Sequence, residues 1–236
     1  MTADPSTFAR HGYHERIPLV LVLDTSASMG RPAGAPRIVQ LKDALSRLLA
    51  GLRADPAHSA RVDVAFVLFA SSIEEPGGGF RPVGEVVVPP LTAGGHSVML
   101  PAIWRALRLG EDHRSALVSA NVLCRHPVVC LITDGAPTDG NGELQTDRDC
   151  ALVAKELRVA EANGSRFVAV GVGGADLDLL ATLAPKSHFA VGDFDIGRVV
   201  DIITASVEMR ATGGNPDADY GLLEKLKKIQ DLENGM

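Results

Sequence analysis

The stretch IPLVLVLDTSAS, residues 17–28, runs through seven apolar positions and then breaks off on an acid and two serines. A strand needs only a turn at its end. Asp24, Ser26 and Ser28 instead place three oxygen-bearing side chains at every second position of one tight turn. Such a turn can aim all three at one point. The continuous apolar run before it is the pattern of a strand buried on both faces.

The same rhythm recurs along the chain. Arg61–Ala70, Pro127–Thr133 and Arg166–Val172 read as further buried strands, with shorter ones at Glu85–Val88 and His188–Val191. Between them lie helical periods. Pro36 and Arg37 open a helix carrying Ile38, Leu41, Leu45, Leu48, Leu49 and Leu52 at helical spacing. Pro101 suits the first turn of a second, whose Ile103, Trp104 and Leu107 read as core. A third covers roughly Thr146–Asn163 and stops at Gly164, a short one follows Asp176, and a last one spans Asp195–Met209. Long apolar strands alternating with amphipathic helices predict an α/β fold with a mostly parallel central sheet covered on both faces. In such sheets ligands sit beyond the carboxyl ends of the strands. Asp24 and Asp134 stand at two of those ends.

Composition narrows the partners. With 29 acids against 23 bases and a net charge of −6, nothing argues electrostatically for nucleic acid or an anionic membrane. Three cysteines without a CxxC pair (Cys124, Cys130, Cys150) argue against a disulfide framework or zinc ribbon, which suits a cytoplasmic location. Arg10 and Arg16 followed by IPLVLVL imitate a secretory leader, but Pro18 interrupts the run, and Asp4, Glu15 and Asp24 flank it. Residues 1–16 read as a flexible arm, 17–209 as the domain, 210–219 as a linker and 220–236 as an amphipathic tail helix. Three of the six lysines (Lys225, Lys227, Lys228) fall in that tail, a shift from the arginine-rich body.

Hydroxyls and carboxylates arriving from separate loops, without histidine or thiolate, are the ligand set of a hard cation. Two carboxylates against one divalent ion leave the site near neutral and able to accept an outside carboxylate. Mg²⁺ keeps exchangeable waters and fits this best, with Mn²⁺ or Ca²⁺ as alternatives.

Asp24-Thr25-Ser26-Ala27-Ser28 after an apolar strand, Leu91-Thr92-Ala93-Gly94-Gly95-His96-Ser97 before a helix, and Thr133-Asp134-Gly135 together resemble the von Willebrand factor A (VWA) domain and its metal-ion-dependent adhesion site. The motifs PLTAGG and TDGAPTD most resemble the bacterial TerY-type branch associated with tellurium resistance and stress operons. The resemblance covers residues 17–209 and implies a three-layer αβα, Rossmann-like fold. It implies a metal held by Asp24, Ser26, Ser28, Ser97 and Asp134, with Ser26 and Ser28 donating directly and the acids partly through water. Ser97 stands where the family usually has threonine, and the neighbouring His96 is unusual and expected to face solvent. The implied function is a cytosolic, non-enzymatic adaptor whose metal takes a Glu or Asp from a protein partner, with kinase and phosphatase components of the same operon as candidates.

Other readings compete. A carboxylate ending a first parallel strand can attack phosphate, so a haloacid-dehalogenase-like phosphohydrolase with Asp24 as nucleophile is the alternative. That chemistry normally places a second acid two residues on, where this chain has Ser26. No G-x-S-x-G elbow supports a serine hydrolase. Gly171-Val172-Gly173-Gly174 lacks the spacing of a nucleotide loop and reads as a tight turn. Asp24 and the serines could also be plain turn and helix caps, leaving a structural domain with a vestigial site. His11 and His14 read as exposed, Asp139 as solvent-facing, and Glu74–Gly79 as a solvated turn.

Overall fold

Apolar residues on both sides of a strand require cover on both sides, and the chain supplies it in three layers. The computed structural model describes residues 15–191 and the helix 196–211. The remainder of the expected arm, with His11 and His14, the linker beyond Ala211 and the lysine-rich tail lie outside the described residues.

The strands are β1 (Ile17–Asp24), β2 (Val62–Phe69), β3 (Ile73–Glu74), β4 (Arg81–Pro82), β5 (Val128–Thr133), β6 (Arg166–Val172) and β7 (His188–Val191). The helices are α1 (Arg37–Ala54), α2 (Pro56–Arg61), α3 (Met99–Ser119), α4 (Asp147–Ala162), α5 (Leu177–Leu183) and α6 (Ile196–Ala211). The sheet order is β3-β2-β1-β5-β6-β7, with β4 also on β2. Strands β2, β1, β5, β6 and β7 run parallel, and only the short β3 and β4 are antiparallel. Because β1 pairs in register with β2 (Leu23↔Leu68) and with β5 (Leu23↔Ile132), it lies at the centre.

The period of two along β1 divides its side chains between two cores. Leu19, Leu21 and Leu23 pack with Leu41, Leu45, Leu48 and Leu52 of α1 and Ile202 and Ile203 of α6. Val20 and Val22 pack with Ile103 and Ala106 of α3, Leu157 of α4 and Leu180 of α5. On that second face α3 comes very close to the sheet at Gly110, where an added Cβ would lie 2.8 Å from Pro127 and 3.5 Å from Val20. Glycine inside a helix costs stability by propensity, so its use here reflects that approach. Gly110→Ala is expected to lower stability by about 1–3 kcal/mol through overpacking, measurable by urea denaturation.

Caps set the boundaries read from sequence. Thr146 and Asp149 form a reciprocal capping box at the start of α4, and Gly164 takes a φ of +103° after it. Asp55 accepts from the Ala57 N–H, and Pro56 starts α2, a short helix marked in the sequence by its Asp-Pro pair.

Three expectations need correction. Glu85–Val88 is not a strand: Val83–Glu85 is a 3₁₀ turn, and Arg53 of α1 donates to the carbonyls of Val83 and Val86, which are therefore unavailable to a sheet partner. Trp104 is not core. It is 47% exposed with Arg108 stacked over its ring at 5.2 Å, because the buried stripe of α3 runs through Met99, Ala102, Ile103, Ala106 and Leu109. One residue past Ile103, the helix has turned about 100° away from that stripe. Finally, Arg16 at the end of the expected arm is 1% exposed and ion-paired with Asp63 at the start of β2, while Asp63 also contacts His113 of α3 at 3.2 Å.

Candidate metal site

The chain leaves β1 toward β2 on one side and returns to β5 on the other. The carboxyl ends of β1 and β5 therefore flank the switch point of the sheet, where a crevice opens in folds of this type. Asp24 ends β1 and Asp134 follows Thr133, the last residue of β5.

Three loops are stitched together there by backbone groups. The Ala27 N–H donates to Gly95 O at 3.1 Å and the Gly94 N–H to Thr25 O at 2.9 Å, joining the first loop to the second. The Thr138 N–H donates to Ser97 O at 2.7 Å, and the Ser97 N–H returns a bond to Thr138 Oγ1 at 2.7 Å, joining the second to the third. The threonine of the PTD motif is thus a latch between loops. Within the third loop, Asp139 accepts from the N–H groups of Glu143 and Asn141, which holds its carboxyl below the usual range.

All five side chains expected at the site are brought together. Asp24 Oδ1 accepts from the Ser26 N–H at 2.8 Å. Ser26 Oγ and Ser28 Oγ lie 3.0 Å apart, and Ser28 Oγ donates to Asp134 Oδ1 at 2.6 Å. Ser97 Oγ reaches Asp24 Oδ2 at 3.5 Å. His96 is exposed, and its ring lies against Gly142.

Two further residues complete the arrangement. Thr133 Oγ1 donates to Asp24 Oδ2 at 2.6 Å, so the last residue of the neighbouring strand β5 orients the buried acid. Its place beside Asp134 was visible in the TDG motif, its task was not. Arg37, read from sequence only as a helix opening, donates from Nη1 to Asp134 Oδ2 at 2.8 Å and from Nη2 to Gly173 O at 2.8 Å. Gly173 has a φ of +58°, and a Cβ there would collide with the guanidinium. Its conformation and lack of side chain let Arg37 in, which goes beyond the tight turn expected of that glycine. No periodic or motif signal in the sequence points to this contact.

Asp24, at the carboxyl end of β1, is 0% exposed and lies within the core. Burial pushes its carboxyl above the usual range of 3.8, opposed by the hydrogen bonds from Ser26 and Thr133, with Asp134 adding repulsion. A buried carboxylate of this kind gains from a nearby cation. The oxygen set also suits one by geometry: cis ligands of an octahedral Mg²⁺ lie about 2.9 Å apart, and the two serine oxygens are 3.0 Å apart. Among the described residues no cluster of three or more His, Cys, Asp or Glu is assembled for a metal. A cation here would depend on the serine hydroxyls as much as on the acids.

No family model matches this sequence, and no curated relative does. Solved structures do match. The pilus adhesin SpaC from Lactobacillus rhamnosus GG superposes with a TM-score of 0.63 at 14% identity, over 84% of this chain and 31% of its own. A von Willebrand factor type A protein from Catenulispora acidiphila gives 0.55 at 18% identity, over 84% and 42%. The proximal thread matrix protein 1 of the mussel byssus, solved with a zinc-occupied MIDAS motif, gives 0.54 at 18% identity, over 83% and 46%. This chain thus spans less than half the length of each. The mostly parallel sheet, its helices on both faces and these superpositions together establish that the chain has the von Willebrand factor A fold.

Proposed function

We propose that this protein is a metal-dependent protein–protein interaction module, in which Asp24, Ser26, Ser28, Ser97 and Asp134 hold a divalent ion. The observation that carries this reading is the meeting of five oxygen-bearing side chains from three latched loops at the switch point of the sheet. Both oxygens of each acid already accept hydrogen bonds, from Ser26, Thr133 and Ser97 on Asp24 and from Ser28 and Arg37 on Asp134. The serine oxygens would therefore be the direct donors, with the acids supplying charge and holding shared water. A bound divalent ion supplies an open coordination position for a carboxylate presented by a partner. The zinc-occupied motif of the byssus protein supports a divalent ion at this place. The all-oxygen donor set favours Mg²⁺, with Mn²⁺ or Ca²⁺ as alternatives, over zinc, which prefers nitrogen and sulfur.

Two residues past Asp134, Ala136 begins the lining of a cleft of about 350 Å³ that also holds Pro137, Leu144 and Leu179 together with the acids Asp147, Asp176 and Asp178. Leu144 is 72% exposed and offers apolar surface that a partner would cover. The resemblance of PLTAGG and TDGAPTD to the TerY branch supports a cytosolic adaptor in a stress or tellurium-resistance system, with kinase or phosphatase components as partners. Among the described residues no helix is long and apolar enough to cross a membrane. Against the phosphohydrolase alternative stands the burial of Asp24 beneath Ser26, Thr133 and Ser97, which leaves its carboxylate no approach for attack on phosphorus.

Ser26→Ala removes one direct donor and leaves the strands intact. Mn²⁺ binding, followed by the paramagnetic signal of the free ion, is expected to weaken about a hundredfold. Capture of an acidic partner from lysate is expected with Mg²⁺ and not with chelator. Unchanged Mn²⁺ affinity in the variant overturns the proposal.

A further inference from the structure

We infer that Arg37 is a built-in counter-cation whose guanidinium, competing for Asp134, sets how tightly the site holds its divalent ion. This rests on the metal-site reading above and adds a residue that sets the affinity of that site.

Arg37 occupies an unfavourable place for its charge. It is the first residue of α1, and the first turn of that helix carries no acid. The helix dipole disfavours a cation there. Its position is offset by two specific contacts, the 2.8 Å ion pair with Asp134 and the 2.8 Å bond to Gly173 O. Gly173 is shaped to admit it, and any side chain at that position would displace it. Two loops far apart in sequence therefore converge on this one guanidinium.

The carboxylate it grips is not a spare one. The Asp134 side chain is fully covered, one oxygen accepting from Ser28 and the other from Arg37. Two acids alone would give the site a charge of −2. With Arg37 the three side chains sum to −1, so an entering divalent ion meets a like charge on the same carboxylate. Low local dielectric makes that repulsion larger than it would be in water. Arg37 is 23% exposed, so its other N–H groups can turn to solvent without burying an unpaired charge.

The test uses the full chain and Mn²⁺ alone as probe, with Mg²⁺ measured by competition. Arg37→Gln is expected to bind Mn²⁺ about tenfold tighter than the wild type, because the repulsion is gone while Ser28 still holds Asp134. Arg37→Lys, which keeps the charge, is expected to stay within about threefold of wild type. In chelator, Arg37→Gln is expected to melt lower than wild type through loss of the ion pair, yet to gain more on adding metal. That opposite pair of shifts separates competition from a purely structural role, which would lower both states alike. Wild type that binds Mn²⁺ while Arg37→Gln binds equally or more weakly overturns the inference and leaves the metal site standing. Binding detected only in Arg37→Gln supports it. Binding in neither protein removes the metal site and this inference together.

Discussion

In a protein carrying Asp24→Asn, Mg²⁺ or Mn²⁺ no longer raises the melting temperature, while the metal-free protein melts higher than wild type. The two shifts have one cause. Asp24 is fully buried, and burial lifts its carboxyl above 3.8 despite the hydrogen bonds from Ser26 and Thr133. The folded state then holds this proton more tightly than the unfolded chain. Stability from this group is greatest below 3.8, falls as pH rises through the elevated native value, and stays low at neutrality. Asparagine keeps the shape and removes the buried charge, so the metal-free protein is more stable at pH 7. The gap between the two proteins therefore widens as pH rises above 3.8. Metal works in the other direction: an ion at a hundred times its dissociation constant adds about 2.7 kcal/mol to wild type, or roughly 5–10 °C for a chain of this size. The variant forfeits that gain. Melting curves with and without metal check both shifts, and a metal response surviving in Asp24→Asn would exclude Asp24 from the site.

Asp63→Ala is expected to be the most destabilising single change, at about 3–5 kcal/mol. Asp63 is 0% exposed and accepts from Nε of Arg16 at 3.1 Å, from a second guanidinium nitrogen, and contacts His113 at 3.2 Å. Alanine takes the Asp63 carboxylate away from a guanidinium that is 1% exposed. The double replacement Arg16→Met with Asp63→Leu is expected to recover most of the loss, because the cost comes from the uncompensated charge. Asp63 lies at the amino end of β2, while the metal site lies at the carboxyl ends, about 20 Å away along the strands. The metal-induced rise in melting temperature should therefore persist in Asp63→Ala, which distinguishes a fold residue from a site residue. Denaturant midpoints for the single and double variants decide the matter, and a single loss under 1 kcal/mol would sink the account.

These two acids show what can be read along the chain. Both stand in apolar runs, but only Asp24 is followed by Ser26 and Ser28 at alternate positions. That local pattern marked it as part of a site. Asp63, inside RVDVAFVLFA, carries no local mark, and its role depends on Arg16 and His113 arriving from 47 and 50 residues away. Thr146, Gly164 and Asp176 were legible as helix boundaries because capping is settled within a few residues of chain. Trp104 lies outside the core although its spacing places it on the apolar face, because helical spacing admits a wide stripe and only the packed sheet decides which edge of it is covered.

By itself the sequence determined the alternation of strands and helices, the D-x-S-x-S turn at the end of β1, and the oxygen-only chemistry of the site. Those properties reside in periods of two and 3.6 and in turns a few residues long. The tertiary structure alone decided that Thr133 orients Asp24 and that Arg37 sits on Asp134 against Gly173. Arg37 is separated from those two partners by 97 and 136 residues. Contacts at such range follow from the order of strands in the sheet, which no local pattern encodes.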